Sequence, residues 1–323
     1  MQKLNFIRAA VAGLFVAVGG QALAQPYPAK PIRWILSFTA GIGTDVFARK
    51  LAPIVSEQVG QSVVVENRPG AAGAIGAEAI FKSPPDGYSF LFASSAQTVA
   101  LPHTVRSLPY DGNGFTPVMA AIEPLIVVVI KPSLPAKNFR EFVDYAKRNP
   151  GKVSFGSSGA GSTFHMFGVS LNNTAGIELL HVPYKGTNLA VNDIMGGVLD
   201  MSFGSLAGIG PLIQAGKVRA IAIMGEHRSR VFPDLPAVTD VVPGLELAPG
   251  WFSFWGPPAL PQPIVQRFHG ELMKAMNTPD MTSWYDANGF LYIGSTPDQL
   301  KTMQSKGFDS FGRLYKALGM KPE

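Results

Sequence analysis

At 323 residues the chain is long enough for two lobes, and its formal net charge of +5 becomes +3 without Lys3 and Arg8 of an N-terminal leader. Its basic residues are scattered, which argues against nucleic acid, and the absence of Cys excludes disulfides, a thiolate nucleophile and a lipid-modified cysteine. Charged residues at 15%, with 35 Gly and 27 Pro, describe a loop-rich globular protein rather than a coiled coil or a disordered chain.

Met1 to Ala24 reads as an export signal. Lys3 and Arg8 precede an apolar run from Ala9 to Gly20, and Ala22-Leu23-Ala24 is an A-x-A cleavage site. The run is short for a bilayer span of about 20 residues, so the mature chain is expected to be exported and to begin near Gln25. Its first strand starts at Ile32 and passes through Thr39-Ala40-Gly41-Ile42-Gly43 and Thr44-Asp45. A helix with apolar Val46, Phe47, Leu51, Ile54 and Val55 follows. A strand, a glycine loop and a helix N-terminus make an anion site, because the helix start carries roughly half a positive charge and unpaired N–H groups.

Ser62–Glu66 reads as a second strand, Asn67-Arg68-Pro69-Gly70 as a turn, and Gly73 to Phe81 as a small-residue helix. A third strand, Tyr88–Ala93, ends in polar Ser94-Ser95-Ala96-Gln97. This βαβαβ order implies a parallel sheet with right-handed crossovers. Leu125–Ile130 is a further apolar strand, and Phe139, Phe142, Val143 and Ala146 mark a helix. The strand from Val153 then runs into Ser157-Ser158-Gly159-Ala160-Gly161-Ser162-Thr163, which repeats the opening pattern ahead of a helix from Phe164 to Leu171. Further units start at Leu179, Met201 and Val218; Trp251–Trp255 and three helices from Pro263 finish the chain. The expected architecture is α/β, each of two lobes a mainly parallel sheet flanked by helices. Lobe 1 takes residues 25–122 and 246–323, and lobe 2 takes 123–245. A ligand cleft is expected where the strands' carboxyl ends meet.

Three other chemistries fit less well. Gly41-x-Gly43 with Glu66 imitates half of a dinucleotide fingerprint, but Val46 stands at the third glycine position, where a side chain would spoil close helix–strand packing, and the leader sends the chain away from cytoplasmic nicotinamide. No phosphate P-loop occurs, and Gly156-Ser157-Ser158-Gly159 lacks nucleophile-elbow spacing. The five histidines have no metal-ligand spacing and read as surface or structural residues. No enzyme, cofactor or metal is expected.

Several segments together resemble the Bug-type periplasmic receptors of tripartite tricarboxylate transporters. They are Tyr27-Pro28-Ala29-Lys30-Pro31, Phe38-x-Ala40-Gly41-x-Gly43-Thr44-Asp45, Glu66-Asn67-Arg68-Pro69-Gly70-Ala71-x-Gly73, Pro85-Asp86-Gly87-Tyr88, Ser157-Ser158-Gly159-x-Gly161-Ser162 and His181-Val182-Pro183-Tyr184-Lys185-Gly186. The resemblance covers essentially the whole mature chain. It implies a two-lobe periplasmic-binding-protein fold of type II character, a monomer that closes on a small organic carboxylate and delivers it to integral-membrane transporter subunits. Carried over, the ligand-binding residues are Phe38, Thr39, Ala40, Gly41, Gly43, Thr44 and Asp45 in the first loop, and Ser158, Gly159, Gly161, Ser162 and Thr163 in the second. Ser94, Ser95, Gln97, Phe164, His165, Lys185, Phe203 and Ser205 join them as strand-end and cleft candidates.

Two departures from the family pattern bear on specificity. The usual F-P-A-G-G loop reads Phe38-Thr39-Ala40-Gly41-Ile42 here. Phe203-Gly204-Ser205 stands where an acidic residue is frequent, which disfavours an amino-acid ammonium group and favours a plain organic acid. Aromatic Phe38, Phe164, Phe203 and Trp251 suggest an aromatic or amphiphilic acid if at least two of them line the cleft. An accessory ligand sensor using the same cleft, an exported hydrolase and a structural interaction protein are the alternatives.

Overall fold

The computed structural model describes residues 27–323 except 39, 42, 160, 161, 185, 226, 227, 229–231, 248, 249, 318, 320, 321 and 323. The leader and its cleavage site therefore lie outside the described residues. β1 (Ile32–Leu36) leads into α1 (Gly43–Val59), and β2 (Val63–Asn67) into α2 (Ala74–Phe81). β3 (Ser89–Ser94) leads into a π-helical turn at Ala96–Ala100 and the short α3 (Leu101–Thr104). β4 (Thr116–Pro124) and β5 (Ile126–Ile130) are separated by Leu125 alone. Then come α4 (Phe139–Arg148), β6 (Val153–Ser157), α5 (Thr163–Ala175), β7 (Leu179–Pro183), α6 (Thr187–Met195), β8 (Met201–Ser205), α7 (Leu206–Gln214) and β9 (Arg219–Ile223). The chain continues through α8 (Val238–Val241), β10 (Phe252–Gly256), α9 (Gln262–Met276), α10 (Pro279–Asn288), β11 (Phe290–Tyr292) and α11 (Pro297–Ala317).

The strands form two sheets, ordered β11-β4-β10-β3-β1-β2 and β7-β6-β8-β5-β9. The α/β architecture with helix-flanked sheets is present, but both sheets are mixed rather than mainly parallel. β1 runs parallel to β2 and β3, and β6 runs parallel to β7 and β8. β10 is antiparallel to β3 and β4, and β5 is antiparallel to β8 and β9. Topology supplies the reason. β4 has the direction of β1–β3 and leaves the first sheet at its carboxyl edge. One residue later β5 enters the second sheet at that sheet's carboxyl edge, so it must oppose β6 and β8. β9 leaves and β10 enters in the same manner. The two carboxyl edges therefore face one another across the crossing strands.

Alternation along each strand explains the layers. Ile32, Trp34 and Leu36 of β1 are buried with Phe47, Leu51 and Val55 of α1 and with Phe254 and Phe268. Ile35 points the other way, into a cluster with Ala77 and Ile80 of α2 and with Trp255 and Leu300. In the second sheet Val128 and Ile130 join Phe139, Phe142, Phe155 and Phe203, whereas Val127 and Val129 join Ala190, Ile194 and Ile209. Both faces of each sheet are covered, so only the strand ends are left to carry a site.

Candidate functional site: two loops at facing sheet edges

The first loop leaves β1 at Phe38 and enters α1 at Gly43. Its organiser is Asp45, in the first turn of α1 and only 2% exposed. The Asp45 carboxylate accepts the Gly41 N–H at 2.8 Å, Asn67 Nδ2 at 2.9 Å and Arg49 Nε at 3.1 Å. Burial on its own would raise the Asp45 pKa, but the hydrogen bonds from Gly41, Asn67 and Arg49, with the Arg49 charge, hold it below the ordinary carboxylate value. Gly41 has φ +84°, a conformation open to glycine at little cost. Asp45 is thus an internal brace. Its carboxylate and the Gly41 N–H, expected to meet the ligand, are already engaged with each other. Thr44 differs: its hydroxyl is buried and finds no hydrogen-bond partner among the described residues, as does that of Ser37 at the end of β1. Ala40 and Gly43 are exposed, and Phe38 is half-buried, edge-on to Phe92 and Phe252 at 5.9 and 5.6 Å.

The second loop follows β6 and is built on the same plan. Ser157 is fully buried, and its Oγ accepts the Gly159 N–H at 3.1 Å and lies 2.7 Å from His181 Nε2 of β7. The Gly159 carbonyl accepts the Ser162 N–H at 3.2 Å and the Ser162 hydroxyl at 2.7 Å. Ser162 is the N-cap of α5, its Oγ accepting the His165 N–H at 3.3 Å. The His165 and His181 rings stack at 4.0 Å. Burial, and then the neighbouring His165, push the His181 pKa down to about 4, and burial lowers that of His165. A neutral His181 can accept from Ser157, whose hydroxyl also lies 3.0 Å from the Gly159 carbonyl, so the loop's polar groups are satisfied among themselves. The Ser157–His181 contact has the length of a nucleophile–base pair, but the serine is enclosed and holds its own loop. Ser158 is exposed, and Thr163 and Phe164 are half-buried at the start of α5.

The remaining candidates divide. Gln97 is buried and structural: Nε2 donates to the Ala72 carbonyl at 2.6 Å, and Oε1 accepts the Ser94 hydroxyl at 2.9 Å. Ser95 is buried, its N–H bonded to the Trp251 carbonyl at 2.9 Å. Phe203 is fully buried, stacked on Phe164 at 5.0 Å and edge-on to Phe167, so the core takes the surface expected for a ligand. Trp251 is buried as well. Ser205 caps α7, its Oγ accepting the Gly208 N–H at 3.3 Å. Thr39, Ile42, Gly161 and Lys185 lie outside the described residues. The packing objection to a nucleotide does not hold, since Val46 is 44% exposed rather than packed on the sheet. Glu66 supplies a different objection, because Arg33 and Arg68 already pair with it at 2.8 and 3.3 Å.

Ser37, Asn67, Ser157 and His181 emerge only from the fold. Each is a polar residue at or near a strand end, and each was masked by a turn motif or by its apolar neighbours.

These edges join through Met166, one turn into α5, which is fully buried in the cluster holding Ala93, Trp251 and Leu300. Two braced, glycine-containing loops thus stand at the carboxyl edges of two sheets that the chain crosses between. Comparison with known proteins gives this arrangement a family. The chain matches the tripartite tricarboxylate transporter family receptor over residues 47–320. Protein BugT of Bordetella pertussis is 31% identical over 317 residues, covering 97% of each chain. A solved periplasmic transporter is 35% identical with a TM-score of 0.77, over 91% of this chain and 99% of its own. R. palustris Rpa4515, solved with adipate, is 27% identical with a TM-score of 0.79, over 92% of this chain and 100% of its own. Among the described residues no helix is long and apolar enough to cross a membrane. By sequence and by fold, the chain belongs to the tripartite tricarboxylate transporter receptors, a family of periplasmic binding proteins and not of enzymes.

Proposed function

We propose that this protein is an exported receptor that captures a small organic carboxylate between its two loops, closes on it, and delivers it to the integral-membrane subunits of a tripartite tricarboxylate transporter. The observation that carries the reading is the pair of buried hydroxyls, Ser37 and Thr44, on either side of the first loop. A buried hydroxyl without a partner costs about 1–3 kcal/mol, which a bound carboxylate, directly or through water, would recover. Donors of this kind are fixed dipoles and need less desolvation than an arginine buried against an acid. The relative solved with adipate supports the ligand class. On this reading the leader is removed after Ala24 and the mature monomer divides into lobes 25–122 with 246–323, and 123–245.

The ligand is an aromatic or amphiphilic mono- or dicarboxylate. Phe38 and Phe164 support this preference: one stands at each loop, half-buried, with a ring already packed behind it. A ring edge or face contact adds about 1 kcal/mol. Thermal-shift titration with benzoate, phthalate, adipate, malate, succinate and citrate tests both parts. Stabilisation by benzoate, phthalate or adipate above the others is expected. A response to succinate or citrate alone overturns the aromatic preference, and no response to any acid overturns the carboxylate reading.

A further inference from the structure

We infer that Asn67 is the positioning residue of the first loop, an inference that rests on that loop being one jaw of the carboxylate site. Asn67 ends β2 and stands beside Leu36 in the parallel register with β1, so its side chain reaches the loop as the chain leaves that strand. Its amide is fully engaged. Nδ2 donates to the Phe38 carbonyl at 3.1 Å and to Asp45 Oδ1 at 2.9 Å, while Oδ1 accepts Arg49 Nη2 at 2.6 Å. Asp45 in turn accepts the Gly41 N–H. One amide therefore ties the first residue of the loop to the helix that receives it, and through Asp45 to the glycine between them.

The brace decides which groups the loop can offer. With Gly41 bound inward, Ala40 and Gly43 remain at the exposed rim and Thr44 keeps its unpartnered hydroxyl. Without it, the Asp45 carboxylate loses a donor at the position where an anion must approach. Arg49 reaches both oxygens of that carboxylate, at 3.2 and 3.1 Å, but through a single Nε, and its own side chain is 49% exposed. Charge at the site depends on the amide: Asn67 is neutral and donates, whereas an acid there would face Asp45 and the Phe38 carbonyl with no proton to give.

Asn67→Asp is the direct test, with the exchanged pair Asp45→Asn/Asn67→Asp as its rescue. In the pair, the amide at position 45 can accept from Gly41 and donate to the new carboxylate, which keeps Arg49. Hydrogen–deuterium exchange is followed by mass spectrometry in the ligand-free proteins over residues 36–47, with the β6 segment as internal reference. Isothermal calorimetry with adipate and benzoate runs in parallel. The single variant should exchange about tenfold faster at Gly41 and its neighbours, with β6 unchanged, and bind either acid about tenfold more weakly. The exchanged pair should recover part of both, because the contact between positions 45 and 67 is restored while the Phe38 carbonyl stays without its donor. Should Asn67→Asp fail to fold, Asn67→Ser removes the brace without adding charge and is expected to loosen the same segment. Wild-type exchange over 36–47 in a folded single variant overturns the inference, as does an exchanged pair that recovers nothing. If the wild type binds none of the acids in the thermal-shift set while the exchange pattern holds, the carboxylate reading fails and the brace stands.

Discussion

At the scale of single residues, both loops use a side chain to occupy their own glycine N–H: Asp45 for Gly41 and Ser157 for Gly159. Shape is thereby separated from recognition, and the two can be tested apart. Thr44→Val keeps the volume of the side chain and removes a hydroxyl that has no partner among the described residues. Denaturant midpoints should be unchanged or slightly raised, while carboxylate affinity falls by about 1–2 kcal/mol in calorimetry. His181 offers a pH signature. The unfolded chain takes up its proton near 6.5, but the folded imidazole only near about 4, because burial and His165 oppose the charge. Between these values the unfolded state binds more protons, so this contribution to stability is complete above about pH 6.5 and is lost as the pH falls toward 4. Melting temperatures of His181→Gln, which preserves an acceptor for Ser157, should fall less steeply than wild type across that window. Parallel curves would show that the histidine is not the titrating group.

Secondary elements explain why the loops sit where they do, and where sequence reading reaches its limit. α5 lies against β6 because Gly168 is buried where any Cβ would strike the ring of Phe155. Gly168→Ala should cost about 1–3 kcal/mol in urea unfolding despite the better helix propensity of alanine, because overpacking outweighs propensity here. A neutral or stabilising result would mean that the helix can shift away from the strand. β1, β3 and β5, rich in apolar residues, the short β6 and both glycine loops were legible from local pattern. β4 was not: Thr116–Pro124 carries prolines at Pro117 and Pro124 and small Ala120 and Ala121 within it. It is held by β10 through a bulged register that no local pattern encodes. β11, three residues long, owes its existence to β4. The Asn67 brace and the Ser157–His181 contact were equally hidden, since each joins residues 22 or 24 apart through strand pairing rather than spacing.

For the whole molecule, the chain must enter and leave the second sheet at the site edge, so the loops share their surroundings with the crossing strands. Leu125, the single residue between β4 and β5, donates to the Gly289 carbonyl and accepts from the Leu206 N–H, both at 2.8 Å, tying both sheets' surroundings at the crossing. Away from it, contacts among the described residues that link the surroundings of the two sheets include an ion pair, a buried methionine and Leu291 of β11, which packs on the second sheet's apolar cluster. The Arg313–Glu246 pair, whose Glu246 carbonyl accepts the Ser170 hydroxyl of α5, is 3.8 Å apart with both side chains largely exposed, a geometry worth about 0–1 kcal/mol. Met166 is fully buried among residues of the first sheet and its helices, and burial of such a side chain contributes about 1.5–3 kcal/mol. The methionine should therefore dominate in holding the second loop against the first sheet. Met166→Glu would place an unpaired carboxylate in that cluster at a cost of several kcal/mol, which separation of the halves relieves. Small-angle scattering of the ligand-free variant should show a larger radius of gyration, with far-UV circular dichroism unchanged, while volume-conserving Met166→Leu should scatter like wild type. Arg313→Ala, by contrast, should leave the scattering curve as it was. Expansion in Arg313→Ala but not in Met166→Glu would reverse this ranking and make the exposed ion pair, not the buried thioether, the contact that keeps the two loops together.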